Sequence, residues 1–115
     1  MKSGGDAAER LAAAYLEQKG LRLLETNFRC RMGEIDLILR DGAELVFAEV
    51  RLRTNSAFGG AAASITAAKQ ARIVHAAQSY LQQKHLDLPC RFDAVLLDSL
   101  DADRIEWIKN AFEGD

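Results

Sequence analysis

The stretch "IDLILRDGAELVFAEVRLR", residues 35–53, constrains the fold more than any other part of this chain. It reads as two strands joined by a tight turn at Asp41-Gly42, a pair of residues suited to the positive φ of a two-residue hairpin loop. Each strand is strongly apolar yet carries one carboxylate in its middle, Asp36 in the first and Glu49 in the second. Pairing the strands about Asp41-Gly42 sets Ile38 opposite Leu45, Asp36 opposite Phe47 and Glu34 opposite Glu49. Alternation then places Glu34, Asp36, Leu45, Phe47, Glu49, Arg51 and Arg53 on one face. Asp36 and Glu49 become diagonal neighbours about 7–8 Å apart along the backbone.

Three acids on one face repel one another and weaken a sheet unless positive charge meets them. Surface ion pairs from Arg51 and Arg53 are one answer, and on spacing alone the simpler one. A divalent cation is the other: Asp36, Glu49 and water form a hard oxygen site suited to Mg²⁺ or Mn²⁺, with Glu34 adding like charge at the same spot.

The hairpin sits within an α-β-β-β-α-β-β order. "GGDAAERLAAAYLEQKGL" is a helix with Ala8, Leu11, Ala12, Tyr15 and Leu16 on one face, Asp6 as N-cap, Glu9 in the capping-box position and Gly20 at the C-terminus. "LRLLETNFRCRMG" is a short strand. After the hairpin, "RTNSAFGGAAAS" is a small, polar loop. "SITAAKQARIVHAAQSYLQQKH" is a second helix capped by Ser64. "PCRFDAVLLD" is a buried strand, "DSLDAD" a turn, and "RIEWIKNAF" a final strand. This order implies one α/β domain over residues 1–115, a small mixed sheet with helices packed against it.

Composition narrows the function classes. A chain with 49% hydrophobic and 28% charged residues can build a core. It has no apolar run long enough to cross a bilayer, and its N-terminus lacks the apolar centre of a signal peptide, so a cytoplasmic location is expected. Cys30 and Cys90 are too few for a disulfide framework or a Cys-rich zinc site and read as small hydrophobes. The net charge of −2 argues against an indiscriminate nucleic-acid binder, but its distribution is uneven. Residues 51–92 carry +5 and residues 93–115 carry −5. A basic middle can meet phosphates while an acidic tail limits non-specific binding; the two stretches neutralising each other is the plainer alternative.

"GEIDLILRDGAELVFAEVRLR", with "AERLAAAYL" before it and "FGGAAASITAAKQ" and "CRFDAVLLD" after it, resembles the bacterial YraN-like family of endonuclease-type proteins. The resemblance runs in order across most of the chain. It implies a restriction-endonuclease-like core and the PD-(D/E)xK signature, an Asp on one strand and Glu-x-Lys on the next. Carried over, these are Asp36 and Glu49, with Glu9 on the first helix matching a glutamate that joins the metal shell. The lysine position is Arg51, where the family usually reads "EVK" and this chain reads "EVR". The implied chemistry is Mg²⁺- or Mn²⁺-dependent hydrolysis of a phosphodiester in DNA or RNA, the lysine positioning water and offsetting charge on the phosphoryl oxygens. Arginine can offset that charge, but it is larger and keeps its proton.

Lys69 is the candidate for a relocated lysine. It falls within about 40° of Ile73, Ala76 and Tyr80 on the helical wheel, on the face expected to meet the sheet. Snorkelling to solvent is the commoner fate of such a lysine; aiming its amine at an anion is the alternative. Asp93 either pairs with Arg91 or supports the site. His75 and His85 do not share a helix face, and Trp107 and Phe112 read as core. The leading expectation is a metal-dependent endonuclease using Asp36, Glu49, Arg51 and Lys69, with the loop 54–63 bordering the substrate. The rivals are a nucleic-acid-binding module that has lost hydrolysis at Arg51 and a protein-interaction adaptor. Small nucleases of this fold class often act as dimers, so a homodimer is the assembly to test.

Overall fold

The computed structural model describes residues 3–52, 65–98 and 105–114, with side chains from Ala7 onward. Helix α1 spans Ser3–Gln18. It begins before Asp6, which therefore lies inside the helix and is not its N-cap. Its end follows the sequence: Gly20 adopts φ +99°, Gly20 N–H donates to the Glu17 carbonyl and Leu21 N–H to the Leu16 carbonyl. These two bonds satisfy the last carbonyls in a Schellman arrangement that favours glycine at that position.

Strands β1 (Arg22–Cys30), β2 (Gly33–Asp41), β3 (Glu44–Leu52), β4 (Cys90–Leu97) and β5 (Ile105–Phe112) form one sheet in the order β1-β2-β3-β4-β5. Only β3 and β4 are parallel, and helix α2 (Ala67–Lys84) lies in the connection between them. Thr66 caps α2, its hydroxyl accepting from Lys69 N–H at 3.2 Å, two residues later than the expected Ser64, which lies outside the described residues. At the other end His85 takes φ 54° as the C-cap. The expected loop 54–63, Arg53 and the turn at 99–104 also lie outside the described residues.

Each face of the sheet buries a separate core. On the α2 side, Phe28, Ile38, Leu45, Phe47 and Phe92 meet Ile73, Ala76, Ala77 and Tyr80. On the α1 side, Leu37, Leu39, Val46, Ala48, Val95 and Leu97 meet Ala8, Ala12 and Leu16. The apolar hairpin is therefore covered on both faces, which explains why its residues 37–39 and 45–48 are all buried. Phe112 stacks on Phe92 at 5.0 Å and Trp107 packs against the α1-side core, as expected of core aromatics. Cys30 and Cys90 are free thiols packed against the α2-side core.

The hairpin register differs from the expected one by two residues. The loop is Gly42-Ala43, closed by Asp41 paired with Glu44, and Gly42 takes the positive φ of +60° as the first loop residue. Ile38 thus pairs with Phe47 and Leu37 with Ala48, in place of the expected Ile38–Leu45, Asp36–Phe47 and Glu34–Glu49 pairs. Centring the turn one residue later moves every partner by two. The α/β result, a mixed five-stranded sheet with a helix on each face, is consistent with a restriction-endonuclease-like core.

Candidate active site

The site lies where two strands part. Antiparallel pairing of β2 with β3 stops at Leu37↔Ala48, whereas β3 stays paired with β4 through Leu52↔Leu97. One further step in the β2–β3 register sets Asp36 level with Glu49. No ladder pair forms there. Instead the Asp36 carboxylate accepts the Val50 N–H at Oδ2, 2.9 Å, so a side chain takes the place of a backbone partner. The strand also changes face at this point. Ile35 and Ile38 both face the α2-side core, while Leu37 between them faces the α1 side. Strict alternation would group Ile35 with Leu37.

The neighbouring strand keeps its register at this level but has an unusual backbone conformation there. Asn27 has φ 53° between the pairs Thr26↔Leu37 and Phe28↔Ile35, a left-handed conformation that asparagine tolerates better than most residues. Its side-chain amide donates from Nδ2 to Glu9 Oε1 at 2.9 Å and so steers the α1 glutamate. Glu9 is buried, and its expected capping-box partner, Asp6, is not the helix cap.

A cavity of about 150 Å³ opens in the gap, lined by Ala8, Glu9, Glu34, Asp36, Glu49, Val50, Arg51, Leu52 and Lys69. It gathers every residue the sequence singled out as catalytic or metal-binding. Their roles within it differ. Glu49 is only 3% exposed, and Lys69 Nζ lies 3.4 Å from its Oε2 while Arg51 Nη1 lies 3.8 Å away. Lys69 thus points its amine at the acid and does not simply snorkel to solvent. Glu34 forms an ion pair with Arg29 at 3.2 Å, out at the surface. It stands beyond Asp36 on β2 and is not opposite Glu49.

Two neighbouring cations do not neutralise Glu49. Burial, then the charge of Asp36 and a hydrogen bond shared with it, push the Glu49 carboxyl up from 4.5 to about 8; Lys69 and Arg51 pull the other way and lose. Glu49 therefore keeps its proton at neutral pH and shares a hydrogen bond with Asp36, while Lys69 and Arg51 stand beside the pair. Among the described residues no group of three or more His, Cys, Asp or Glu is arranged for a metal, and Asp36 and Glu49 are a pair of oxygen donors. Mg²⁺ commonly accepts one or two carboxylates and completes its shell with water and substrate phosphate, whereas Zn²⁺ needs three or four protein ligands.

Residues 8–97 match the family described as "Uncharacterised protein family UPF0102". The chain belongs to that family. The matched segment runs from Ala8 to Leu97 and so includes Glu9, Asp36, Glu49, Arg51 and Lys69. Relatives agree over nearly the whole length. A UPF0102 protein of Nitrosomonas europaea is 57% identical over 95% of this chain and 92% of its own. One from Methylobacillus flagellatus is 54% identical over 97% of this chain and 98% of its own. One from Dechloromonas aromatica is 60% identical over 96% of this chain and 89% of its own. UPF0102 is the family of the YraN-like proteins that the sequence resembles.

One part of the arrangement was missed by sequence reasoning, and a second was left open there. Asn27 is the first; an asparagine in the middle of a strand is the available signal, since such a residue is depleted there. The second is a buried network on the far side of the hairpin. Asp93, fully buried, accepts from Arg91 Nε at 3.1 Å, from Trp107 Nε1 at 2.9 Å and from Asn110 N–H at 3.0 Å. Arg91 also reaches Asp41 (2.9 Å) and Glu44 (3.0 Å), the two residues that close the hairpin loop. Asp93 thus pairs with Arg91, one of the two readings left open, and it ties β4 and β5 to the hairpin that carries the acids. Among the described residues, no helix is long and apolar enough to cross a membrane.

Proposed function

We propose that this UPF0102 protein is a metal-dependent endonuclease that hydrolyses phosphodiester bonds in nucleic acid. The observation that carries the reading is the Asp36–Glu49 pair, held together in a small cavity with Lys69 and Arg51 against its own repulsion. Evolutionary convenience would place hydrophobes at both strand positions; a charged pair costs stability and needs a purpose. Its position at the carboxyl end of the parallel strand β3 is where open α/β sheets bind ligands.

Asp36 and Glu49 would hold Mg²⁺ or Mn²⁺, with Glu9 and Glu34, which line the same cavity, reaching it through water. Such a cation polarises a phosphoryl oxygen and lowers the pKa of bound water. The chain's own residues supply the rest. Val50 N–H fixes Asp36 Oδ2, so this carboxylate does not rotate away when the cavity fills. Lys69 and Arg51 place positive charge beside the pair, where it offsets the charge that grows on the phosphoryl oxygens. Lys69 has the more compact ammonium and sits nearer to Glu49, so it takes the part that the family's signature gives to the lysine replaced here by Arg51.

The binding-module reading has one observation of its own, arginine at position 51. A cleavage assay separates the two. Duplex, single-stranded and branched DNA and RNA are incubated with Mg²⁺ or Mn²⁺ and with the natural protein or Asp36→Ala. Metal-dependent cutting that falls about 10³-fold or more in the variant is expected. Binding without cutting on every substrate would leave the module as the function, and cutting that survives Asp36→Ala would remove the pair from the mechanism.

A further inference from the structure

A second cavity of about 360 Å³ adjoins the first and shares Glu34 and Lys69 with it. Its walls are the β1–β2 turn, from Arg29 to Glu34, and one turn of α2 carrying Lys69 and Arg72. Four of its eight lining residues are cationic and one, Glu34, is acidic. Glu34 is occupied by Arg29. Arg31 and Arg72 are exposed, and among the described residues neither has an ion-pair partner.

The closeness of the two walls is built into the backbone. A Cβ on Gly33 would run into the Arg72 carbonyl, so glycine at this position is what lets the turn lie directly on the helix. Lys69 and Arg72 are three residues apart and project from the same side of α2. The first turn of α2 carries no acid, and its N-terminal end adds the positive end of the helix dipole. Positive charge is thus concentrated beside the carboxylate pair in a chain whose net charge is −2.

Resting on the nuclease reading, we infer that this cavity is the seat of a phosphate adjacent to the one cleaved, with Arg31 and Arg72 as its main ligands and Lys69 bridging the two positions. The ligand is the sugar-phosphate backbone of a nucleic-acid strand. Guanidinium groups match phosphate oxygens in a two-pronged fork, and Arg29 can exchange an exposed, weak ion pair for a phosphate. A strand laid across the two cavities would meet paired acids at the scissile group and a mainly cationic surface beside it.

The test is fluorescence anisotropy of labelled DNA and RNA oligonucleotides in Ca²⁺ and in EDTA, over a salt series. It compares the natural protein with Arg31→Gln/Arg72→Gln and with Arg22→Gln/Lys84→Gln. The last variant removes the same charge from exposed positions at the far ends of β1 and α2 and serves as the control. Loss of the cavity arginines should weaken binding about tenfold or more and lower the slope of log K against log salt by roughly 0.7–0.9 per contact, with the control unchanged. Equal loss in both variants, or no loss in either, would overturn the subsite while leaving any metal-dependent cleavage intact. Retained cavity-dependent binding with no cleavage would sustain the subsite and remove the nuclease. Competition by polyglutamate as effective as by an oligonucleotide of equal charge would assign the cavity to acidic protein and overturn the inference.

Discussion

Glu49 is buried beside a second acid, and its environment gives the site a pH dependence. Its carboxyl sits near 8 in the folded protein against 4.5 for an ordinary glutamate. The folded state therefore binds more protons than the unfolded state between those values, and stability falls as pH rises. The stabilising contribution is complete below about pH 4.5 and lost as pH passes through 8. Thermal denaturation in EDTA from pH 5 to 9 should show this decline, and Glu49→Gln should flatten it and raise Tm at the alkaline end. A Tm that rises with pH in the natural protein would contradict the buried proton. Arg51 offers a second residue-level test. Arg51→Lys restores the ammonium of the family's usual signature, but with Lys69 already in that part single-turnover cleavage should change less than about threefold, whereas Lys69→Ala should lower it steeply. If Lys69→Ala abolishes cleavage while Arg51→Lys leaves it unchanged, the role belongs to Lys69 alone.

The elements explain why these side chains meet. β2 and β3 separate beyond Leu37 and Ala48, and the far end of the hairpin is fastened by Arg91 to Asp41, Glu44 and Asp93. Burial pulls the Arg91 guanidinium down, but the acids facing it outweigh that and raise it above the usual arginine range. Asp93→Ala would leave Arg91 Nε, Trp107 Nε1 and Asn110 N–H short of their acceptor. The expected cost is about 3–5 kcal/mol, measured by urea denaturation. A loss under about 1 kcal/mol would show that Asp41 and Glu44 suffice. Much of this was legible in the residues. The strand and helix order, the Gly20 terminus and the helix face of Lys69 follow from periodicity and residue type, while the aim of its amine was left open between solvent and an anion. The hairpin register did not, because Asp-Gly is compatible with either glycine position in a two-residue loop and pattern alone tolerates a shift of two. Asp6 looked like a cap because it is an acid before an apolar face; the helix continues past it toward Ser3. Glu34 was misplaced by the same register shift, whereas Arg91–Asp93 was open because two residues on one strand face can pair or act separately.

Among the described residues, α1 and α2 and the mixed sheet enclose a core on each sheet face and leave the acids at a junction of α1, α2, β2 and β3. Neither core depends on the pair, so the site can be altered without dismantling the fold. In the proposed site, Asp36 and Glu49 take up a cation in exchange for a proton. Calorimetric titration of Mn²⁺ at pH 7 in buffers of different ionisation enthalpy measures both the ion and the proton. One Mn²⁺ per chain, release of about one proton from Glu49, and loss of both in Asp36→Ala are expected. Binding of Mn²⁺ that releases no proton and is unchanged in Asp36→Ala would contradict the proposed site.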